Sequence, residues 1–107
     1  MIRPHRDEHG RLRAGAEGAL AALGDFLETE IGENPAAFDE LSGGLELVRL
    51  GQRGRWEFHG NVYTLRLSPE GARITNALDR RAPSVDLPLP AVEGALLEWR
   101  RCWPGPP

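Results

Sequence analysis

Apolar and polar residues alternate through Gly54–Leu78, the most strongly patterned stretch of the chain. Trp56 and Phe58 alternate with Arg55, Glu57 and His59. Tyr63, Leu65 and Leu67 alternate with Val62, Thr64 and Arg66, and Ala72 and Ile74 with Arg73 and Thr75. Period-two alternation predicts strands with one buried face, here an antiparallel meander. Gly60-Asn61 suits a two-residue type II′ turn. Ser68-Pro69-Glu70-Gly71 suits a four-residue connection in which Pro presets φ and Gly supplies a positive one. These loops pair Phe58 with Tyr63, Trp56 with Leu65 and Leu67 with Ala72, all on one face.

The same register sets Arg55 against Arg66 and Arg66 against Arg73 on the opposite face. Like charges directly opposite one another destabilise a sheet. A row of arginines with His59 beside it therefore calls for an anion. Carboxylates of this chain are one source, and a phosphate- or carboxylate-bearing ligand is the other.

Elsewhere the period is helical. Gly15–Ile31 carries Ala16, Leu20, Leu23, Leu27 and Ile31 at steps of three and four, an amphipathic helix closed by Gly32. Asn34-Pro35 opens a second helix with an N-cap and a proline at its first position. Phe38, Leu41, Leu45 and Val48 form its stripe. Gly43-Gly44 weakens it in the middle, so the helix is expected to end near Ser42 and then resume or become extended. Ala91–Trp103 is a third helix with Val92, Ala95, Leu96, Trp99 and Trp103 on its stripe, the two tryptophans serving the core.

The remaining segments fill in the architecture. Ile2–Arg6 and Arg11–Ala14 flank the turn signal Asp7–Gly10 and predict an N-terminal hairpin. Asp79–Pro90 is proline-rich and extended, with Ser84–Leu87 as a fourth, edge strand. Residues 1–103 form one domain and residues 104–107 a flexible tail. The fold class is α+β: a three- to four-stranded antiparallel meander, an N-terminal hairpin, and two N-terminal helices and one C-terminal helix on one face.

Composition narrows the functional classes. One cysteine in 107 residues excludes an intrachain disulfide and favours a reducing, cytoplasmic location. No apolar h-region or membrane-length run is present. All thirteen basic residues are Arg, and the net charge is −3. That total hides a division. From Ala14 to Val48 there are eight acids (Glu17, Asp25, Glu28, Glu30, Glu33, Asp39, Glu40 and Glu46) and no Arg. The rest of the chain holds eight acids and thirteen Arg, or +5. Such asymmetry predicts a polarised surface, unless the two parts neutralise each other across the fold.

The string Glu33-Asn34…Asp39-Glu40…Gly54…Trp56…Gly60…Tyr63-Thr64-Leu65, preceded by Arg6-Asp7-Glu8-His9-Gly10, resembles the small bacterial proteins of the YacL type. The resemblance covers most of the chain. It rests on turn glycines and core aromatics, and departs at Pro35 and at Gly43-Gly44. It implies an α+β fold with an aromatic C-terminal helix, and carries over no catalytic residue.

Catalytic chemistry finds no motif. Ser42, Ser68 and Ser84 suit turns or caps, and none lies in a nucleophile elbow. Cys102 falls in the last turn of an apolar helix, where a thiol is ordinarily a small hydrophobe. His59 has no paired carboxylate motif, and the glycines form no phosphate loop with a lysine. His5 and His9 have helical metal spacing, but Pro4 and Gly10 oppose a helix and no third ligand follows. No enzyme activity, cofactor or metal is expected. Three readings remain open. One is a protein-binding domain of the immunity or antitoxin type, meeting a basic toxin domain through Glu17, Asp25, Glu28, Glu30, Glu33, Asp39 and Glu40. The second is anion or nucleic-acid binding through Arg55, Arg66, Arg73 and His59. The third is a structural homodimer, joined by a strand edge or by the Trp99/Trp103 helix.

Overall fold

The computed structural model describes residues 2–104; the end of the expected tail, residues 105–107, lies outside them. An N-terminal hairpin of β1 (His5–Arg6) and β2 (Leu12–Arg13) is followed by a helical segment and then α2 (Pro35–Arg49). The meander comprises β3 (Trp56–His59), β4 (Tyr63–Ser68), β5 (Gly71–Asn76) and β6 (Val85–Leu87). The last helix, α3, spans Leu89–Arg101. The sheet order is β3-β4-β5-β6, antiparallel throughout, so Val85–Leu87 is the fourth, edge strand. The helices share one face, with Leu65, Leu67, Ala72 and Ile74 buried beneath them. The other sheet face is polar and open, a common arrangement in antiparallel sheets.

The first helical segment is not the single helix that the spacing predicts. Gly15 to Glu17 are non-helical. A 3-10 turn (Gly18–Leu20) leads into α1 (Ala21–Phe26), and a wider π-type turn follows at Leu27–Ile31. That turn closes with Gly32 N–H bonded to Leu27 O at 2.8 Å. The apolar stripe is nonetheless the expected one, with Leu23, Leu27 and Ile31 buried. Trp99 Nε1 on α3 donates to Gly32 O at 2.6 Å, which ties the last helix to the end of the first segment.

The helix α2 does not stop near Ser42. It runs unbroken through Gly43-Gly44, capped by the Asn34 side chain on the N–H groups of Ala36 and Ala37. The aromatic ring of Trp56 lies directly on Gly44, where any Cβ would strike it. The helical cost of glycine, about 1 kcal/mol, is offset by the close approach of β3 to α2.

The register of the first hairpin also differs. Phe58 pairs with Leu65 and Trp56 with Leu67, two residues away from the expected partners. A two-residue shift keeps every side chain on its face, so the buried set survives while the neighbours change. The physical reason is Glu30. Its carboxylate accepts the N–H groups of Asn61, Val62 and Tyr63, each at 2.8 Å, and holds the turn one residue later than expected: Gly60 N–H bonds Tyr63 O at 2.8 Å, so Asn61-Val62 and not Gly60-Asn61 turn the chain. Gly60 is needed there because a Cβ would meet the Glu30 carboxyl group. The β4–β5 register is as expected, Leu67 opposite Ala72, with pairing continued to Ser68 and Gly71.

Candidate functional site

On the open sheet face, the observed register replaces the expected arginine row. Arg66 faces Arg73 as predicted, but Glu57 stands opposite Arg66 and Asp86 opposite Arg73. The cross-strand row is therefore Glu57–Arg66–Arg73–Asp86. Arg66 Nε meets Glu57 at 2.8 Å, and Arg73 holds Asp86 bidentately at 2.7 and 3.0 Å. Arg55 lies outside the row and approaches Glu57 at 3.5 Å, and His59 Nε2 lies 3.4 Å from the same carboxylate. The hydrogen bond from Arg66 holds the Glu57 carboxyl below the usual carboxylate range, and Arg73 does the same for Asp86. A hollow of about 550 Å³ lies beside the row, lined by Arg66, Ser68, Arg73 and Asp86 among others. Its two guanidiniums already have carboxylates, which come from the sheet and not from the acidic stretch before it.

That acidic stretch does not form one surface. Glu28 accepts from Arg13 Nε and from Ala14 N–H, both at 2.8 Å, and fixes β2. Glu30 closes the β3–β4 tip. Glu33 holds Arg6 bidentately at 2.6 and 2.7 Å, and that hydrogen bond lowers the Glu33 pKa. Arg6 also donates to Cys102 O at 3.2 Å, so this pair joins the N-terminal hairpin to the end of α3. Asp25 accepts weakly from the Tyr63 hydroxyl at 3.4 Å. The Tyr63 pKa is raised, first by burial and then by Asp25. Glu17, Asp39 and Glu40 are exposed. Among the described residues, no group of three or more His, Cys, Asp or Glu is arranged to hold a metal ion.

The feature that sequence reasoning missed lies between α2 and α3. Phe38 near the start of α2 stacks edge-on against Trp103 past the end of α3, centroids 5.5 Å apart. Arg49 at the end of α2 feels Glu93 at the start of α3. The two helices thus run antiparallel. Between them is an apolar groove made of two hollows, about 530 and 160 Å³, which share Phe38 and Leu97. Leu97 is 54% exposed, because it lies one step of about 100° from Leu96 and off the buried stripe. Pro35 and Trp103 line the wider hollow, and Leu45 and Leu96 the narrower one. Arg100 covers the Trp103 ring at 4.6 Å. Trp103 Nε1 is buried with no acceptor. The available signal was Leu97 itself, an aliphatic residue that falls off the Val92, Ala95, Leu96 and Trp99 stripe.

No helix among the described residues is long and apolar enough to cross a membrane. Comparisons with curated proteins and with solved structures gave no match. Residues 4–84, from the N-terminal hairpin past the end of β5, match the uncharacterised protein family UPF0231. The turn glycines, the Asn34 cap and the Trp56–Leu65 meander that suggested a YacL-type protein all fall within this span, and the chain belongs to the UPF0231 family, of which YacL is a member.

Proposed function

We propose that this domain is a non-enzymatic protein-binding module, of the immunity or antitoxin type, whose contact surface is the α2–α3 groove. The observation that carries the reading is Leu97, a large aliphatic side chain 54% exposed between two apolar hollows. Grooves between helices accept an amphipathic helix through apolar anchors spaced along one face. The groove follows α2, and fifteen residues at 1.5 Å each span about 22 Å, the length of about four helical turns.

The acidic contribution is narrower than the sequence suggests. Glu28, Glu30 and Glu33 are engaged within the fold, whereas Asp39 lines the groove and Glu40 is its exposed neighbour on α2. A basic partner, such as a toxin domain, would be steered by these two and by Glu17 and Asp25. Anion or nucleic-acid binding at the open sheet face is the weaker proposal, since Arg66 and Arg73 already have carboxylate partners. Co-expression with the product of an adjoining gene tests the preferred reading. Leu97→Arg is expected to abolish co-purification and any growth protection, while Arg66→Ala leaves both intact. Retention of the partner by Leu97→Arg with loss by Arg66→Ala would move the site to the sheet.

A further inference from the structure

We infer that, without a partner, the groove is covered by the same groove of a second copy of this chain, and that α3 crosses its symmetry mate antiparallel at Leu97. The inference rests on the groove being an interaction surface, as proposed above, and adds what occupies it.

Charge symmetry favours a second copy as the occupant. Leu97 lies four residues from Glu93 on one side and four from Arg101 on the other, so all three share the outer face of α3. A two-fold axis lying across the groove reverses its direction. It sets Leu97 on Leu97, and Glu93 against Arg101 of the second copy, twice over. The rest of the rim agrees. One end carries Arg100, Arg101 and Asp39, two cations against one anion. The other carries Arg49, Glu46 and Glu93, one cation against two anions. Arg101 and Arg49 each hold a carboxylate of their own helix, Glu98 and Glu46 respectively, at 2.8 Å; these are exposed pairs, worth little in themselves, and an opposing carboxylate can share the guanidinium. The same rotation brings Asp39 towards Arg49 of the second copy. Isologous interfaces require this kind of self-complementarity. Gly94, exposed and with nothing near its Cβ position, leaves room beside Leu97 for the crossing helix.

The other large polar surface fails the same test. The row Glu57–Arg66–Arg73–Asp86 reads minus, plus, plus, minus, and a two-fold axis along or across it sets like charge on like.

The contact is small. A face about 20 Å long and two helices wide buries about 400 Å² per copy, or about 800 Å² in all. That is below the range of permanent dimers, so the assembly is weak and a better-fitting partner displaces it.

Sedimentation of the full chain from about 10 μM to about 1 mM tests this. The average mass should rise from monomer towards dimer. Leu97→Arg should hold it at monomer with an unchanged circular dichroism spectrum. Glu93→Arg should weaken association at least tenfold, and Glu93→Arg combined with Arg101→Glu should restore it. In a Cys102→Ser background, Leu97→Cys should form a disulfide-linked dimer under mild oxidation, since residues on the axis come within bridging distance. A monomer at every concentration, or a dimer indifferent to Leu97→Arg, overturns the inference. A monomer whose Leu97→Arg variant still loses its partner overturns the inference alone. A Leu97-dependent dimer whose partner binds elsewhere removes the protein-binding reading of the groove and leaves the dimer.

Discussion

The Glu30 carboxylate accepts the backbone N–H of Tyr63 at 2.8 Å across thirty-three positions of the chain. With Asn61 and Val62 it satisfies three consecutive donors at the tip of the sheet. A residue expected to lie on a partner-facing surface is thus the brace that sets where a hairpin turns.

Removing that brace should cost stability. Charge-assisted hydrogen bonds contribute about 1.5–3 kcal/mol each and are not additive. Glu30→Ala should therefore lower unfolding free energy by about 2–3 kcal/mol in urea titration. Glu30→Gln, which retains one good acceptor, should lose about half of that. A loss below about 0.5 kcal/mol for Glu30→Ala would show that water replaces the carboxylate without penalty.

The two central glycines of α2 should respond in opposite directions. Gly43 has nothing within 4 Å of its Cβ position, so Gly43→Ala should stabilise by about 0.5–1 kcal/mol through helix propensity alone. Gly44→Ala gains the same propensity but drives a methyl group into the Trp56 ring. It should destabilise by about 1–3 kcal/mol net. Thermal melts of the two variants decide the matter, and equal shifts would mean that Trp56 does not rest on α2 in solution.

The ion pairs predict acid sensitivity. The pKa values of Glu33, Glu57 and Asp86 are lowered in the fold, first by hydrogen bonds from Arg6, Arg66 and Arg73 respectively. A carboxyl group whose pKa falls on folding binds fewer protons in the native state than in the unfolded one over the window between its two pKa values. Stability in that window therefore rises with pH. These contributions are fully present above the unfolded carboxylate range, about pH 4 to 4.5. They are lost as pH falls through the lower native values. Glu33→Gln should thus be less stable than the parent protein at pH 7, and the difference should close towards pH 3. A gap that widens with acid contradicts the assignment. Added salt should shrink it at pH 7, because both partners are partly exposed.

Much of the fold was legible from the chain alone, for identifiable reasons. Parity along Trp56–Phe58, Tyr63–Leu67 and Ala72–Ile74 separated buried from open face, and Ser84–Leu87 between prolines read as an edge strand. Asn34-Pro35 marked the start of α2, and Val92, Leu96 and Trp99 marked the buried stripe of α3. The register of β3 on β4 was not legible, because a slip of two residues preserves parity and leaves the hydrophobic pattern equally content. Nor was the continuity of α2, because the glycine pair that weakens an isolated helix is the seat of a ring from a distant strand.

The candidate site shows the same division. The residue types that attracted attention, eight carboxylates in one stretch and three arginines in another, were visible as charges. Their partners were not, and most proved to be engaged with the chain itself. The groove was invisible because neither Phe38 nor Leu97 is unusual in an amphipathic helix, and only the antiparallel packing of α2 and α3 brings them to one cleft.

The sequence by itself determined which residues could be strands, helices and turns, and which face of each would be buried, because periodicity and turn chemistry act over a few neighbouring residues. Tertiary structure decided which carboxylate meets which arginine, where the first hairpin turns, and which apolar side chains stay exposed. Those choices depend on contacts between Glu30 and Tyr63, Gly44 and Trp56, or Phe38 and Trp103, which only the assembled fold brings together.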